Sequence, residues 1–124
     1  MKSRIINLSP RISDNVDYNM LIFVFETKNI LDMDRSDQMW VFLKTVIQGG
    51  AVKIILEMKD LEFIDSIGIG VIINAAKMIR NKKGDIALLN VPERVEHIFK
   101  PVNLNRFVKF FASEQDAVNY FRLV

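Results

Sequence analysis

The chain has 124 residues, half of them hydrophobic and 26% charged, and it contains no cysteine. That is long enough for one core, so a single domain over residues 1–124 is expected, without disulfides, thiolate catalysis or cysteine metal sites. A net charge of +2 is too small to define a nucleic-acid surface, and no apolar stretch approaches the roughly 20 residues that cross a bilayer.

Lys2 and Arg4 are not followed by a signal-peptide core, so a cytoplasmic protein with no membrane partner is expected. Residues 4 to 9 read as a short edge strand closed by Pro10, and Arg11 to Asn19 as a polar loop or hairpin. Met20 to Phe25 is continuously apolar and β-rich, as expected of a strand covered on both faces. Lys28-Asn29 reads as a turn. Asp32 or Asp34 then caps a helix reaching about Gln48, with Met39, Leu43, Val46 and Ile47 on one face, and Gly49-Gly50 stops it.

Val52 to Leu56 is a second buried strand. A second helix runs from Ile67 or Gly68 to Lys82, terminated by Gly84. Ile86 to Leu89 is a third strand, and Pro92 opens a short helix with Val95, Ile98 and Phe99 inward. Phe107 to Phe111 is a last strand near an edge. Ser113, with Asp116 three residues on, starts a final helix that packs through Ala117, Tyr120 and Phe121. This alternation implies an α/β fold: one mixed, mostly parallel sheet of about five strands, with about four helices and right-handed crossovers.

The joint Asp65-Ser66-Ile67-Gly68-Ile69-Gly70 carries the chemistry. Ligands and partners gather at the carboxyl ends of parallel strands, because crossing loops and helix N-termini converge there. Ser66 sits at such a point, Asp65 can order the turn, and Gly68 and Gly70 let a partner approach the backbone closely. Two readings stand: Ser66 caps the helix, or Ser66 is a switch residue that a partner phosphorylates.

On the second helix Ile69, Ile72, Ile73, Ala76 and Ile79 form an inward stripe, with Ile67, Val71 and Met78 roughly opposite and Asn74 between them. An exposed apolar strip of this kind marks a protein contact, unless a terminal segment or a homodimer covers it. The cluster Lys77, Arg80, Lys82 and Lys83 either offsets a helix end or docks an acidic protein. His97 stands alone with Glu93 one turn back, a weak signal for metal or catalysis. Asp60, Glu62 and Asp65 lack the phosphate-gripping lysine loop of a magnesium site. Gly68-x-Gly70 lacks the third glycine of a dinucleotide fingerprint, and no nucleophile elbow surrounds Ser66. The residues therefore point to a regulator rather than an enzyme.

The stretch Phe63-Ile64-Asp65-Ser66-Ile67-Gly68-Ile69-Gly70-Val71-Ile72 closely resembles the phosphorylation loop of bacterial anti-sigma factor antagonists, single-domain members of the STAS superfamily. Asn29-Ile30-Leu31-Asp32 resembles the family's Gly-x-Leu-Asp approach to the first helix, and Lys83-Gly84-Asp85-Ile86 its Gly-Gly-x-Leu approach to a strand. Val102-Asn103-Leu104-Asn105-Arg106-Phe107 resembles the late Gly-Leu segment before the last strand. The departures are Asn29 and Lys83 where glycines are usual, and Ile67 where a small or hydroxylated residue is common.

The resemblance implies partner switching. The unmodified antagonist binds an anti-sigma factor that is also a serine kinase and so releases the sigma factor; phosphorylation ends the pairing and a serine phosphatase restores it. Ser66 matches the phosphoacceptor, Asp65 its acidic neighbour and Asp32 an acidic residue near the same surface. The contact set expected is Asp32, Asp65, Ile67, Gly68, Gly70, Val71, Asn74 and Met78. No cofactor is expected on this chain, because ATP and magnesium belong to the kinase. The alternative with the same fold is a constitutive STAS scaffold or dimerisation module.

Overall fold

The computed structural model describes residues 2–8 and 20–123. Five strands, Lys2–Asn7 (β1), Leu21–Leu31 (β2), Lys53–Ile64 (β3), Asp85–Leu89 (β4) and Lys109–Phe111 (β5), form one sheet in the order β1-β2-β3-β4-β5. Only β1 runs antiparallel to its neighbour; β2 to β5 are mutually parallel. Helices Met33–Gln48 (α1), Ser66–Asn81 (α2) and Glu93–Phe99 (α3) make the three crossovers, and Glu114–Arg122 (α4) closes the described chain. The expected mixed, mostly parallel α/β sheet with four α-helices is therefore the fold.

Alternation along the strands explains the layers. Phe25, Ile54, Leu56, Ile86 and Leu88 face a large core shared with α1, α2 and α3. Ile22, Val24, Ile55, Ala87 and Leu89 face the opposite side, where Ala117, Val118 and Phe121 of α4 cover them. A sheet order that follows chain order puts right-handed crossovers on one face, so only the terminal helix reaches the other. The last helix is capped by Ser113, whose hydroxyl accepts from the Asp116 amide at 3.2 Å. Val118 joins Ala117 and Phe121 in its buried face, and Tyr120 packs against the same cluster. Tyr120 is half-buried and donates its hydroxyl to Asp85, which also lies 3.7 Å from Arg80.

Two expectations are corrected. Lys28-Asn29 is not a turn: β2 continues to Leu31, with Asn29 at φ 58° inside the strand. The second core strand does not stop at Leu56 but reaches Ile64. Past Glu57, where β4 has ended opposite Leu89, β3 pairs only with β2, and β1 has ended at Lys2 opposite Glu26. The polar residues misread as a turn belong to a two-stranded ribbon that continues past the described ends of β1 and β4. Two register shifts each give β3 one residue more than β2, irregularities of the kind that increase local twist. At its base the buried Glu57 carboxylate accepts from the Lys59 amide at 3.0 Å and from Asn90 Nδ2 at 3.2 Å. The Glu57 carbonyl accepts from Thr27 Oγ1 at 3.0 Å, tying all three strands together at that level. The last strand is also shorter than expected, starting at Lys109 because Leu104–Arg106 turns as a 3-10 helix just before it. The segment from Arg11 to Asn19 lies outside the described residues.

The two departures from family glycines fall at left-handed positions. Asn29 (φ 58°) is a residue type that tolerates this conformation, whereas Lys83 (φ 62°) is not. Lys83 follows the end of α2, where the Gly84 amide donates back to the Ile79 carbonyl at 2.9 Å. A Cβ on Gly84 would stand 2.1 Å from the Val52 carbonyl oxygen, so that glycine is a close-approach residue. Lys83→Gly is expected to stabilise the fold by about 1 kcal/mol, and Gly84→Ala to destabilise it by about 3 kcal/mol; thermal unfolding of the two variants measures both.

Burial, and secondarily the hydrogen bond to Asp85, push the Tyr120 phenol up to about 12 from its ordinary value of 10.0. The neutral phenol is the form favoured by the fold, so its contribution is present below pH 10 and is lost as pH rises towards 12. Wild type is expected to exceed Tyr120→Phe by about 1 kcal/mol at pH 8 and to lose that margin above pH 10, read by urea titrations across pH.

Candidate functional site

Parallel pairing aligns the ends of β2 and β3: Leu31 lies opposite Ile64, and the Asp65 amide donates to the Leu31 carbonyl at 3.2 Å. Each strand is followed at once by an aspartate in extended conformation, Asp32 at φ −90° and Asp65 at φ −93°. Asp32 Oδ1 accepts from the Arg35 amide at 3.3 Å, and Asp65 Oδ1 from the Gly68 amide at 3.0 Å. Two helix N-termini thus open side by side at the tip of the ribbon.

This overturns the capping reading of Ser66. Asp65 is the cap of α2, and Ser66 is the first helical residue, exposed to solvent. Helix geometry leaves the Ser66 and Ile67 amides without intrahelical acceptors, and the positive end of the α2 dipole lies at the same point. A group attached to Ser66 Oγ would meet both.

The remaining expected contact residues divide. Asp32, Ile67 and Asn74 are exposed, and Asp65 and Gly70 are half-buried. A Cβ on Gly70 would touch nothing within 4 Å, so the space over it is open. Gly68 is instead buried: a Cβ there would stand 2.6 Å from Ile64 Cγ1 and 3.0 Å from Ser36 Oγ of α1. Its smallness serves the docking of α2 on α1 and β3, not a partner's approach.

The strip of Ile67, Val71 and Met78 is also not continuous. Val71 is buried in the main core and Met78 is partly buried against it. The wheel assumed one packed side, but α1 and α2 lie together on the same sheet face, so α2 is covered by both sheet and neighbour. Besides Ser66 and the C-terminal Arg80 and Asn81, the exposed residues of α2 are Ile67, Asn74 and Lys77, with half-buried Gly70 between them at spacings of three and four.

Sequence reasoning missed Ile30 and Phe63, paired across the ribbon and exposed. The signal that could have found them is alternation: Leu31 and Ile64 point into the core, so their neighbours point out. Three of the four residues of the basic cluster have partners within the fold. Lys82 Nζ donates at 2.8 Å to the Ile47 carbonyl at the end of α1, and Arg80 donates to the Phe107 carbonyl. Lys77 Nζ sits 5.9 Å over the Phe107 ring. His97 faces Glu93 at 3.8 Å on the surface. No helix among the described residues is long and apolar enough to cross a membrane.

The family model for the STAS domain matches residues 9–117. A protein of Thermotoga neapolitana assigned as an anti-sigma factor antagonist is 38% identical over 79 residues, 64% of this chain and 69% of that protein. The chain belongs to the anti-sigma factor antagonist family of STAS-domain proteins. That family is regulatory, not catalytic. The crystal structure of an antagonist assigned in Thermotoga maritima superposes with a TM-score of 0.78 at 29% identity, covering 86% of this chain and 90% of that one. The Bacillus cell fate determinant SpoIIAA in its phosphorylated form gives a TM-score of 0.64 over 83% of this chain and 91% of that one. At 24% identity this last likeness concerns the fold alone.

The STAS site leads to a direct comparison of its two polar residues. Asp65→Ala is expected to cost about 1 kcal/mol through the lost cap, whereas Ser66→Ala should stay within about 0.5 kcal/mol of wild type in urea unfolding.

Proposed function

We propose that this STAS protein is an anti-sigma factor antagonist that docks on an anti-sigma factor with serine-kinase activity and is released when Ser66 is phosphorylated. The observation that carries the reading is the division between Asp65 and Ser66. The capping bond belongs to Asp65, so the adjacent hydroxyl is exposed and can be modified without unmaking the helix.

The chemistry follows from that position. Ser66 Oγ attacks the γ-phosphorus of ATP held with magnesium by the kinase. An Oγ–P bond forms, the bond to the ADP oxygen breaks, and the hydroxyl proton passes to a base on the kinase. The product carries about two negative charges at the mouth of α2, where the helix dipole favours an anion by about 0.3–1 kcal/mol. Folding therefore tolerates the phosphate while the docking surface is altered. A serine phosphatase resets the state by hydrolysis. The contact surface comprises Asp32, Asp65, Ile67, Gly70 and Asn74, with Gly68, Val71 and Met78 supporting it from beneath. The one STAS domain covers residues 1–124, and its setting is the cytoplasm where such kinases work.

Purified chain is incubated with anti-sigma factor kinases and ATP, followed by intact mass. The expected outcome is addition of one phosphate to wild type, none to Ser66→Ala, and at least about tenfold weaker kinase binding for Ser66→Asp. Unmodified wild type that still binds the kinase identifies a constitutive scaffold instead.

A further inference from the structure

Three large apolar side chains stand in solvent around the two helix mouths: Ile30 at 40%, Phe63 at 46% and Ile67 at 41% of full exposure. Ile30 and Phe63 share one origin. Among the described residues the ribbon beyond Glu57 pairs with neither β1 nor β4, and its side chains alternating with core-facing Leu31 and Ile64 are left exposed. Ile30 and Phe63 are cross-strand partners, and Ile67 lies one residue past Ser66.

The charges around them are acidic. Lys28 and Asp60 are cross-strand partners and offset one another. That leaves Asp32, Asp34, Glu62 and Asp65 against Arg35, whose Nη1 donates to the Ile30 carbonyl at 3.4 Å. A surface that fits carries an apolar hollow with a cationic rim. Such a rim would attract a phosphate by charge alone. Release by phosphorylation then needs another source, and the apolar centre supplies it: a dianion beside Ile67 must shed its water to let the hollow close.

We propose that Ile30, Phe63 and Ile67 form the apolar anchor on which the kinase seats, and that phosphorylation of Ser66 breaks docking by stranding a hydrated dianion against that anchor, not by like-charge repulsion. The inference rests on the phosphorylation reading above and specifies how it operates.

Binding of the kinase that phosphorylates the chain in the preceding assay is measured by calorimetry from about 0.05 to 0.5 M salt, where screening of exposed charges changes severalfold in range. The substitutions Phe63→Thr and Ile30→Thr keep strand-forming residues at exposed positions, and circular dichroism melts check that both fold. Each is expected to weaken binding about tenfold and to make its heat-capacity change less negative. The phosphorylated chain is expected to stay unbound at every salt concentration, whereas wild-type affinity falls as salt rises.

Recovery of binding by the phosphorylated chain at high salt overturns the inference, because repulsion is screened and desolvation is not. Wild-type affinity in both threonine variants overturns it as well, while leaving the Ser66 switch standing. Wild-type affinity for Ser66→Asp and for the phosphorylated chain sinks the switch itself, and the inference with it. A dimer in sedimentation that Phe63→Thr dissociates assigns the patch to a second copy and overturns it.

Discussion

The molecule depends on β2 and β3 ending at the same level. Parallel pairing of Leu31 with Ile64, sealed by the Asp65 amide on the Leu31 carbonyl, brings two chain reversals into contact. Each reversal must become a helix within one residue, so each needs a side-chain acceptor at once. Asp32 and Asp65 meet that need in nearly the same backbone conformation. Two helices starting this close together can pack only if one gives up side-chain volume. Gly68 does so, against Ile64 and Ser36.

A polar residue at a helix start has structural and functional claims on it, and here two neighbours separate them. Asp65 carries the structural bond and turns inward to Gly68; Ser66 follows it and faces water. The two glycines divide in the same way. Gly68 closes the fold, and Gly70, one half-turn further along, leaves the surface open. The helix mouth is held by Asp65, and the exposed Ser66 hydroxyl has no part in holding it together.

Much of this was readable in the chain. The apolar run Met20 to Phe25, the stop at Gly49-Gly50, the cap at Ser113 and the alternation of strands with helices follow from local rules of propensity, periodicity and capping. Those rules act within a few residues, so the sequence conveys them completely. The motif from Phe63 to Ile72 likewise located the joint and its serine. Asn29 kept a left-handed position where glycine is usual, because asparagine also tolerates it.

Where the reading went astray, the cause was a contact between distant segments. Lys28 and Asn29 resemble a turn until β3 is laid beside them and they become part of a continued strand pair. Val71 looks exposed on an isolated wheel and is buried because α1 lies alongside α2. Composition and local pattern determined which strands and helices form, in what order, and which serine lies at a helix mouth, since each depends on neighbours along the chain. Only the tertiary structure decided which faces stay open, that Asp65 and not Ser66 holds the cap, and that Ile30 meets Phe63, since burial is settled by segments the chain brings together from afar.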